Sequence, residues 1–202
     1  SYWFNKSVLF TQIPEALSEI GALDEDDDRD RMYYWSPPDM PGRDALFAQV
    51  NLTDPLPEQT VEPYWLGYAQ VSAENNLLPY IRAHRETTFD IFFPPYSLLY
   101  WANQAREGRF ESCLVQKQYL AQLLLSEENV RLHDFQLAPW VTDYALYYDL
   151  IHYTSEVNDA MAEAMRAETY LVADSAQIDD ALQALRSAVY ALFDSSEERN
   201  PS

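Results

Sequence analysis

The order of apolar and polar residues along the chain predicts a succession of helices. From Val8 to Ile20 the apolar residues fall close to one helical face, and Gly21 follows as a stop. Similar patterns predict helices over residues 73–86, 95–108, 110–126 and 155–167. A last helix begins after Asp174, because Gln177 stands three residues later in a capping-box arrangement and a helical repeat of apolar residues follows.

Local signals refine two of these helices. Ser72 is an expected N-cap for the helix over 73–86, and Pro79, which does not fit a helix interior, is expected to shift its start toward Leu78. Thr154 is the expected N-cap of the helix that begins at Ser155.

Two short segments have the composition of strands. Thr88 to Phe93 is β-branched and aromatic and ends at two prolines, and Val130 to Phe135 is the second candidate. A strand, then helices, then a strand is the order typical of a parallel α/β sheet covered by helices. Such sheets carry their sites beyond the carboxyl ends of the strands, where Tyr96 and residues 136–140 follow.

The segment from Tyr33 to Tyr68 is predicted to be irregular. Prolines recur between Pro37 and Pro63, which argues against long helices there. We interpret the segment as a loop that packs its aromatic residues onto the core, and the alternative is a functional lid. The acidic run before it, Asp24 to Asp30, spaces its carboxylates like a calcium loop but lacks that loop's glycine and its final glutamate, so we interpret it as a solvated loop.

Length and composition predict one soluble α/β domain over residues 1–202. The chain has 202 residues and is 48% hydrophobic, which suffices for a single core. The formal net charge of −20 opposes binding to nucleic acid, which needs a cationic surface. No stretch reaches the roughly 20 apolar residues of a membrane span, so we expect no membrane insertion of this segment. The chain opens without an initiator Met, and we expect residues to precede Ser1.

Several kinds of chemistry find no support in the sequence. The four glycines are scattered, so a glycine-rich phosphate cradle is not expected. The three histidines share no metal-ligand spacing, and Cys113 is the single cysteine. We therefore expect neither a cofactor nor a metal. Of the histidines, His84 is expected to face solvent and His133 to be a structural residue in the second strand.

The third histidine, His152, has a carboxylate partner at a useful spacing. Asp149 lies three residues earlier, which allows its carboxylate to hold the Nδ1–H group of the imidazole while Nε2 takes a proton from a serine. Aromatic residues precede the pair and are expected to wall a water-poor pocket. We take Asp149 and His152 as candidate catalytic residues, and Tyr148 and Tyr96 as candidate substrate-binding residues. The other interpretation of Asp149 and His152 is that they only cap the following helix.

A resemblance to a known family supports the catalytic interpretation. The succession of residues 88–97, then Asp134-Phe135, then residues 147–158 resembles the C-terminal half of SGNH/GDSL-like hydrolases of the bacterial cell envelope, akin to proteins of cell-wall and polysaccharide acylation. The resemblance covers about residues 72–193, after a first part, residues 1–71, of one helix and an irregular region. It implies a flavodoxin-like three-layer α/β/α sandwich, incomplete at its N-terminal side. It also implies an extracytoplasmic protein whose N-terminal membrane anchor has been removed.

In that family the Asp and His of the last block belong to a catalytic triad, which implies that Asp149 orients His152 and that His152 is the general base. The serine, glycine and asparagine blocks are not recognisable here, and the resemblance places the serine before residue 1. Without a nucleophile and an oxyanion hole the chain is expected to be inactive alone. The expected substrate is an ester or an acylated glycan.

A second hypothesis is a non-catalytic envelope module that binds a glycan or a protein. Tryptophans are the residues expected to stack on sugars: Trp35, Trp65, Trp101 and Trp140. A helical scaffold without a ligand is a third alternative. Because only two strands are predicted, unpaired sheet edges are expected to favour a homodimer or swapping.

Overall fold

The structure is a computed structural model that describes residues 40–197, with side-chain surroundings up to residue 194. The predicted helix from Val8 to Ile20 and the acidic run from Asp24 to Asp30 lie outside the described residues. The helices and strands within the described range are α1 (Gly42–Phe47), α2 (Pro63–Ser72), α3 (Leu78–Ala83), β1 (Phe89–Phe93), α4 (Leu98–Arg106), α5 (Phe110–Leu125), β2 (Val130–Asp134), α6 (Ser155–Arg166) and α7 (Ser175–Glu197).

The two predicted strands form, and they pair in parallel. Phe89 lies opposite Val130 and Phe93 opposite Asp134, with no slip between them. Two helices, α4 and α5, connect the strands, as the parallel arrangement requires. The prediction of a mixed α/β fold with a parallel sheet is therefore confirmed within residues 40–197.

Both faces of β1 meet apolar side chains. Phe89, Ile91 and Phe93 pack against the main core, which α4, α5 and α7 build. Phe92, on the opposite face, packs with Phe135 in a second, smaller core. A strand that is apolar on both faces is typical of a parallel sheet covered by layers on each side.

The outer edges of the sheet differ. After α6 the chain returns to the outer edge of β2, where the Asp134 amide donates to the Tyr170 carbonyl and the Val172 amide donates to the Leu132 carbonyl. In β1 the residues that bond to β2 alternate with Asp90 and Phe92, whose backbone groups point away from β2. Among the described residues no backbone group pairs with this outer edge of β1.

One predicted helix start forms as expected, one cap was not predicted, and one predicted cap makes no hydrogen bond. The Asp174 carboxylate accepts from the Gln177 amide at 3.0 Å, and the Gln177 side chain accepts from the Ala173 amide at 2.9 Å, which confirms the box that starts α7. Ser97 caps α4 by accepting from the Tyr100 amide. Thr154 occupies the N-cap position of α6, but its side chain makes no cap hydrogen bond. The predicted position is therefore correct and the predicted hydrogen bond is absent.

The prediction of an irregular segment over residues 33–68 is wrong where α1 and the α-helix Pro63–Ser72 form, and Trp65, which was expected to pack onto the core, is 40% exposed. Pro63 is in the first turn of α2, where a missing amide hydrogen and a fixed φ favour the start of a helix. Ser72 therefore caps nothing. A π-helical segment, Ala73–Leu77, joins α2 to α3, and it ends where Pro79 enters the first turn of α3 and cannot bond backward.

The helix α2 buries none of its residues fully. Its exposed apolar side chains, together with one residue just before it, are Val61, Tyr64, Trp65, Tyr68 and Val71. The rings of Tyr64 and Tyr68 meet edge to face at 4.6 Å, and those of Tyr64 and Trp65 at 5.4 Å. We call these five residues the aromatic face of α2. No helix of the described part of the chain has both the length and the apolarity to cross a membrane.

Candidate active site

The candidate pair lies on a short loop that its own backbone closes. Tyr147 and Tyr153 form an isolated antiparallel bridge, and the Tyr148 amide donates to the His152 carbonyl at 2.9 Å. The loop therefore turns back within six residues. Asp149 and His152 are at its tip, between a 3₁₀ turn (Tyr144–Leu146) and α6.

Asp149 organises this tip through both carboxylate oxygens. Its Oδ1 accepts from the amides of Ile151 at 2.8 Å and His152 at 2.7 Å. Its Oδ2 lies 2.6 Å from the His152 Nδ1 atom. Since an ionised carboxylate only accepts, Nδ1 is the protonated ring nitrogen in this contact. The geometry predicted from the spacing, an imidazole held by the acid three residues earlier, is present.

The same contacts stabilise the ionised carboxylate. Partial burial of the carboxyl opposes ionisation, but the hydrogen bonds from His152 and from the Ile151 amide outweigh it. The pKa of Asp149 therefore lies below its usual value. Asp149 is an anion at neutral pH, which is the state that an orienting carboxylate needs.

The pair is accessible to solvent. The side chain of His152 is 53% exposed and that of Asp149 is 42% exposed. The expected enclosure by aromatic walls is not met within the described residues, because Tyr147 points into the core and is fully buried. A partner that covers the pair would also exclude water from it.

Three hydrogen bonds join the loop to the segment that follows β1. The buried Tyr147 hydroxyl donates to the Pro95 carbonyl at 2.5 Å. The Ser97 hydroxyl donates to the Leu150 carbonyl at 2.7 Å, and the Ser97 amide reaches the same oxygen at 3.1 Å. The loop that carries Asp149 and His152 is therefore held beside the carboxyl end of β1, where the parallel sheet was predicted to place a site.

The candidate substrate-binding tyrosines take different positions. Tyr96 directly follows the prolines after β1 and packs against the rings of Tyr100 at 4.7 Å and Trp101 at 6.2 Å. Tyr148 lies in the loop itself and supports it through its backbone amide. The structure brings their segments together through the bonds of Ser97 and Tyr147, and their role toward a substrate stays a prediction.

Ser97 is the serine that contacts the loop, and its position does not suit a nucleophile. It is 1% exposed, its hydroxyl donates to Leu150, and its oxygen accepts from the Tyr100 amide. The donor of this hydroxyl and one of its acceptor positions are thus used in holding the loop and starting α4. Sequence reasoning missed Ser97 as a structural residue, although its place after two prolines and before an apolar run is a helix-start signal.

A buried ion pair lies at the carboxyl end of β2. Lys117 of α5 donates to Asp134 at 2.5 Å, and both side chains are nearly inaccessible. The Lys117 ammonium also lies 5.1 Å from the centre of the Phe93 ring. Burial lowers the pKa of Lys117, while Asp134 acts in the opposite direction. Sequence reasoning missed this pair, and its only signal was a lysine among the apolar residues of α5.

The other two histidines behave as predicted. His84 is exposed, with Nδ1 3.4 Å from the Glu86 carboxylate. His133 is fully buried, with Nδ1 3.1 Å from the Thr169 carbonyl and Nε2 3.4 Å from the Asp90 carboxylate. Among the described residues no group of three or more His, Cys, Asp or Glu side chains is close enough to hold a metal ion.

Comparison with known proteins gives no match. No protein-family model, no curated protein and no solved structure is similar to this chain at a significant level.

Proposed function

We propose that this chain supplies the Asp–His part of an SGNH-type esterase or O-acyltransferase, with Asp149 as the orienting carboxylate and His152 as the general base. The observation that carries the proposal is the 2.6 Å contact between Asp149 Oδ2 and His152 Nδ1, on a loop tied to the end of β1. This contact fixes the tautomer in which Nε2 is the basic nitrogen.

The reaction would proceed by acyl transfer. His152 accepts the proton of a serine outside the described residues as the serine oxygen attacks an ester carbonyl. The protonated imidazole then gives its proton to the departing alcohol, and an acyl-enzyme remains. Water or a sugar hydroxyl then attacks the acyl carbon while His152 accepts its proton, and the imidazolium returns this proton to the serine oxygen as the acyl–serine bond breaks. Asp149 stabilises the imidazolium in each half of the reaction.

The proposal includes a larger sheet than the two described strands. A flavodoxin-like three-layer sandwich needs further parallel strands, and the outer edge of β1 has backbone groups that no residue of the described range 40–197 pairs with. Strands that join there would lie beside Pro95 and Ser97 and would bring a serine at their carboxyl ends toward the Asp149–His152 loop. We propose an envelope location outside the cytoplasm for the whole protein, on the resemblance alone.

Ester hydrolysis by the natural full-length protein tests this function. We expect cleavage of p-nitrophenyl acetate, and a fall in kcat of about 10²–10⁴-fold for His152→Ala, the size of a lost general base. His84→Ala is the matched control, because His84 is also exposed and also lies beside a carboxylate. Unchanged turnover in His152→Ala would refute the assignment.

A second candidate function is a non-catalytic glycan-binding module. The aromatic face of α2 favours it, since exposed rings are the groups that stack on sugars. Of the four tryptophans first considered, only Trp65 suits this role within the described residues. Trp101 is buried, and Trp140 packs against Phe135 and Tyr170. Trp35 lies outside the described residues.

A further inference from the structure

A cavity of about 300 Å³ opens between α2, α4 and the start of α5. Its walls include Trp65 from α2, Tyr100 and Gln104 from α4, and Arg109, Cys113 and Gln116 from the region of α5. Its volume is at the lower end of the range of small-molecule sites, which is roughly 300–1,000 Å³. The Asp149–His152 pair does not line it.

The aromatic walls leave an accessible ring at the mouth. Trp65 is 40% exposed, whereas Tyr100 is half-buried and is held by Tyr96 and Trp101. Tyr64 and Tyr68 continue the aromatic surface outward along α2. The aromatic wall of the cavity therefore consists of the half-buried ring of Tyr100 and the exposed ring of Trp65.

The polar wall contains the side-chain amide of Gln104, whose nitrogen can donate to a ligand. Gln104 is 7% exposed, and its Oε1 accepts from Arg109 Nε at 3.3 Å and lies 3.9 Å from Cys113 Sγ. Its Nε2 makes no hydrogen bond to any described residue. Solvent reaches this nitrogen, since the buried side-chain atoms that lack a partner in the described part of the chain do not include it, so an acceptor of a ligand can take the place of water there.

These features select one class of ligand. A sugar ring offers an apolar face for stacking and hydroxyls that accept from an amide or a guanidinium. An acyl chain would cover the polar side chains of Gln104 and Arg109 without offering them a hydrogen bond. A nucleotide would bring phosphates to a chain of net charge −20. We propose that this cavity binds one sugar ring of a glycan, with neighbouring rings on the aromatic face of α2.

The cavity is connected to the candidate active site through α4. Tyr100 packs on Tyr96, and the adjacent Ser97 bonds to Leu150, the neighbour of Asp149. These contacts link one wall of the cavity to the loop that carries Asp149 and His152. Binding of a sugar ring in the cavity does not depend on the proposed esterase function.

Calorimetric titration of the 202-residue chain with cellohexaose, chitohexaose and hexagalacturonate tests the proposal. These probes present a neutral, an N-acetylated and an anionic ring, so they also separate the sugar classes. We expect a dissociation constant of about 1 mM or tighter for at least one of them. Trp65→Ala and Gln104→Leu should each weaken it about tenfold, the effect of one lost contact of about 1.4 kcal/mol.

Two variants keep the result interpretable. Trp65→Phe retains a stacking ring and should keep most of the affinity. Tyr80→Ala removes an exposed ring that does not line the cavity, and its affinity should equal that of the unchanged chain. Failure of all three probes to bind, or an unchanged affinity in folded Trp65→Ala, would overturn the proposal. Because binding is measured without turnover, a missing esterase activity leaves this result unaffected.

Discussion

At the scale of single residues, two carboxylates are stabilised as anions by their neighbours. The guanidinium of Arg131 donates to both oxygens of Asp90 and lowers the pKa of that carboxyl against the opposing effect of burial, with His133 adding to the shift. The pKa of Asp149 is also lowered, as described above. Both groups start from a usual value of 3.8.

The sign of the resulting pH dependence is fixed. A carboxyl whose pKa is lower in the folded state stabilises the fold at pH values above 3.8, and this stabilisation is lost as the pH falls below 3.8 and through the folded-state pKa. We expect Asp90→Asn to reduce the acid sensitivity of the free energy of unfolding, measured by urea denaturation between pH 6 and pH 3. An acid sensitivity that Asp90→Asn leaves unchanged would contradict the assignment.

Lys117 gives the largest single-residue effect that we expect on stability. Lys117→Met leaves the Asp134 carboxylate buried without its partner, which costs about 3–5 kcal/mol. The double variant Lys117→Met, Asp134→Asn removes the stranded charge and should recover part of this loss. Urea denaturation measures both. A single variant as stable as the original chain would show that the pair is not formed in solution.

At the scale of elements, two side-chain hydrogen bonds, from Tyr147 and from Ser97, hold the loop of Asp149 and His152 beside the end of β1. Tyr147→Phe leaves the Pro95 carbonyl without its donor. Ser97→Ala removes the hydroxyl that donates to the Leu150 carbonyl, which keeps only the Ser97 amide, and it also removes a helix cap. We expect each change to cost about 1–2 kcal/mol. Ser187→Ala is the control, because its hydroxyl bonds only within α7, to the Gln183 carbonyl. A loss no larger than in this control would show that the bonds do not hold the loop.

The elements also show what the sequence could and could not predict. The strands were predictable because β-branched and aromatic residues stop at prolines, and the Asp149–His152 contact because it is local. The helix at Pro63 was missed because a proline that starts a helix looks the same as one that breaks it. The bonds from Ser97 and Tyr147 join residues 53 and 52 positions apart, and no local pattern encodes such pairs.

At the scale of the whole molecule, the sheet has one covered and one open edge among the described residues. The return at Tyr170–Val172 covers β2, whereas the Asp90 and Phe92 backbones face outward from β1. An apolar strand with free backbone groups is a template for pairing with another strand. We therefore predict that the isolated chain forms a homodimer through the outer edge of β1.

We expect the isolated chain to self-associate with increasing concentration, as measured by light scattering. Phe92→Pro removes an amide hydrogen that points outward, so it should reduce association without breaking the bonds to β2. Phe92→Ala loses the same ring but keeps the amide, and it should associate like the original chain. Equal behaviour of these two variants would place any self-association elsewhere.

The account depends most on the claim that the imidazole held by Asp149 activates a serine hydroxyl. Labelling of the natural full-length protein with a fluorophosphonate tests this directly, because the activated serine oxygen attacks phosphorus and displaces fluoride. We predict one labelled serine outside residues 40–197, with labelling lost in His152→Ala and retained in His84→Ala. Equal labelling of His152→Ala, or a labelled serine within residues 40–197, would contradict the account.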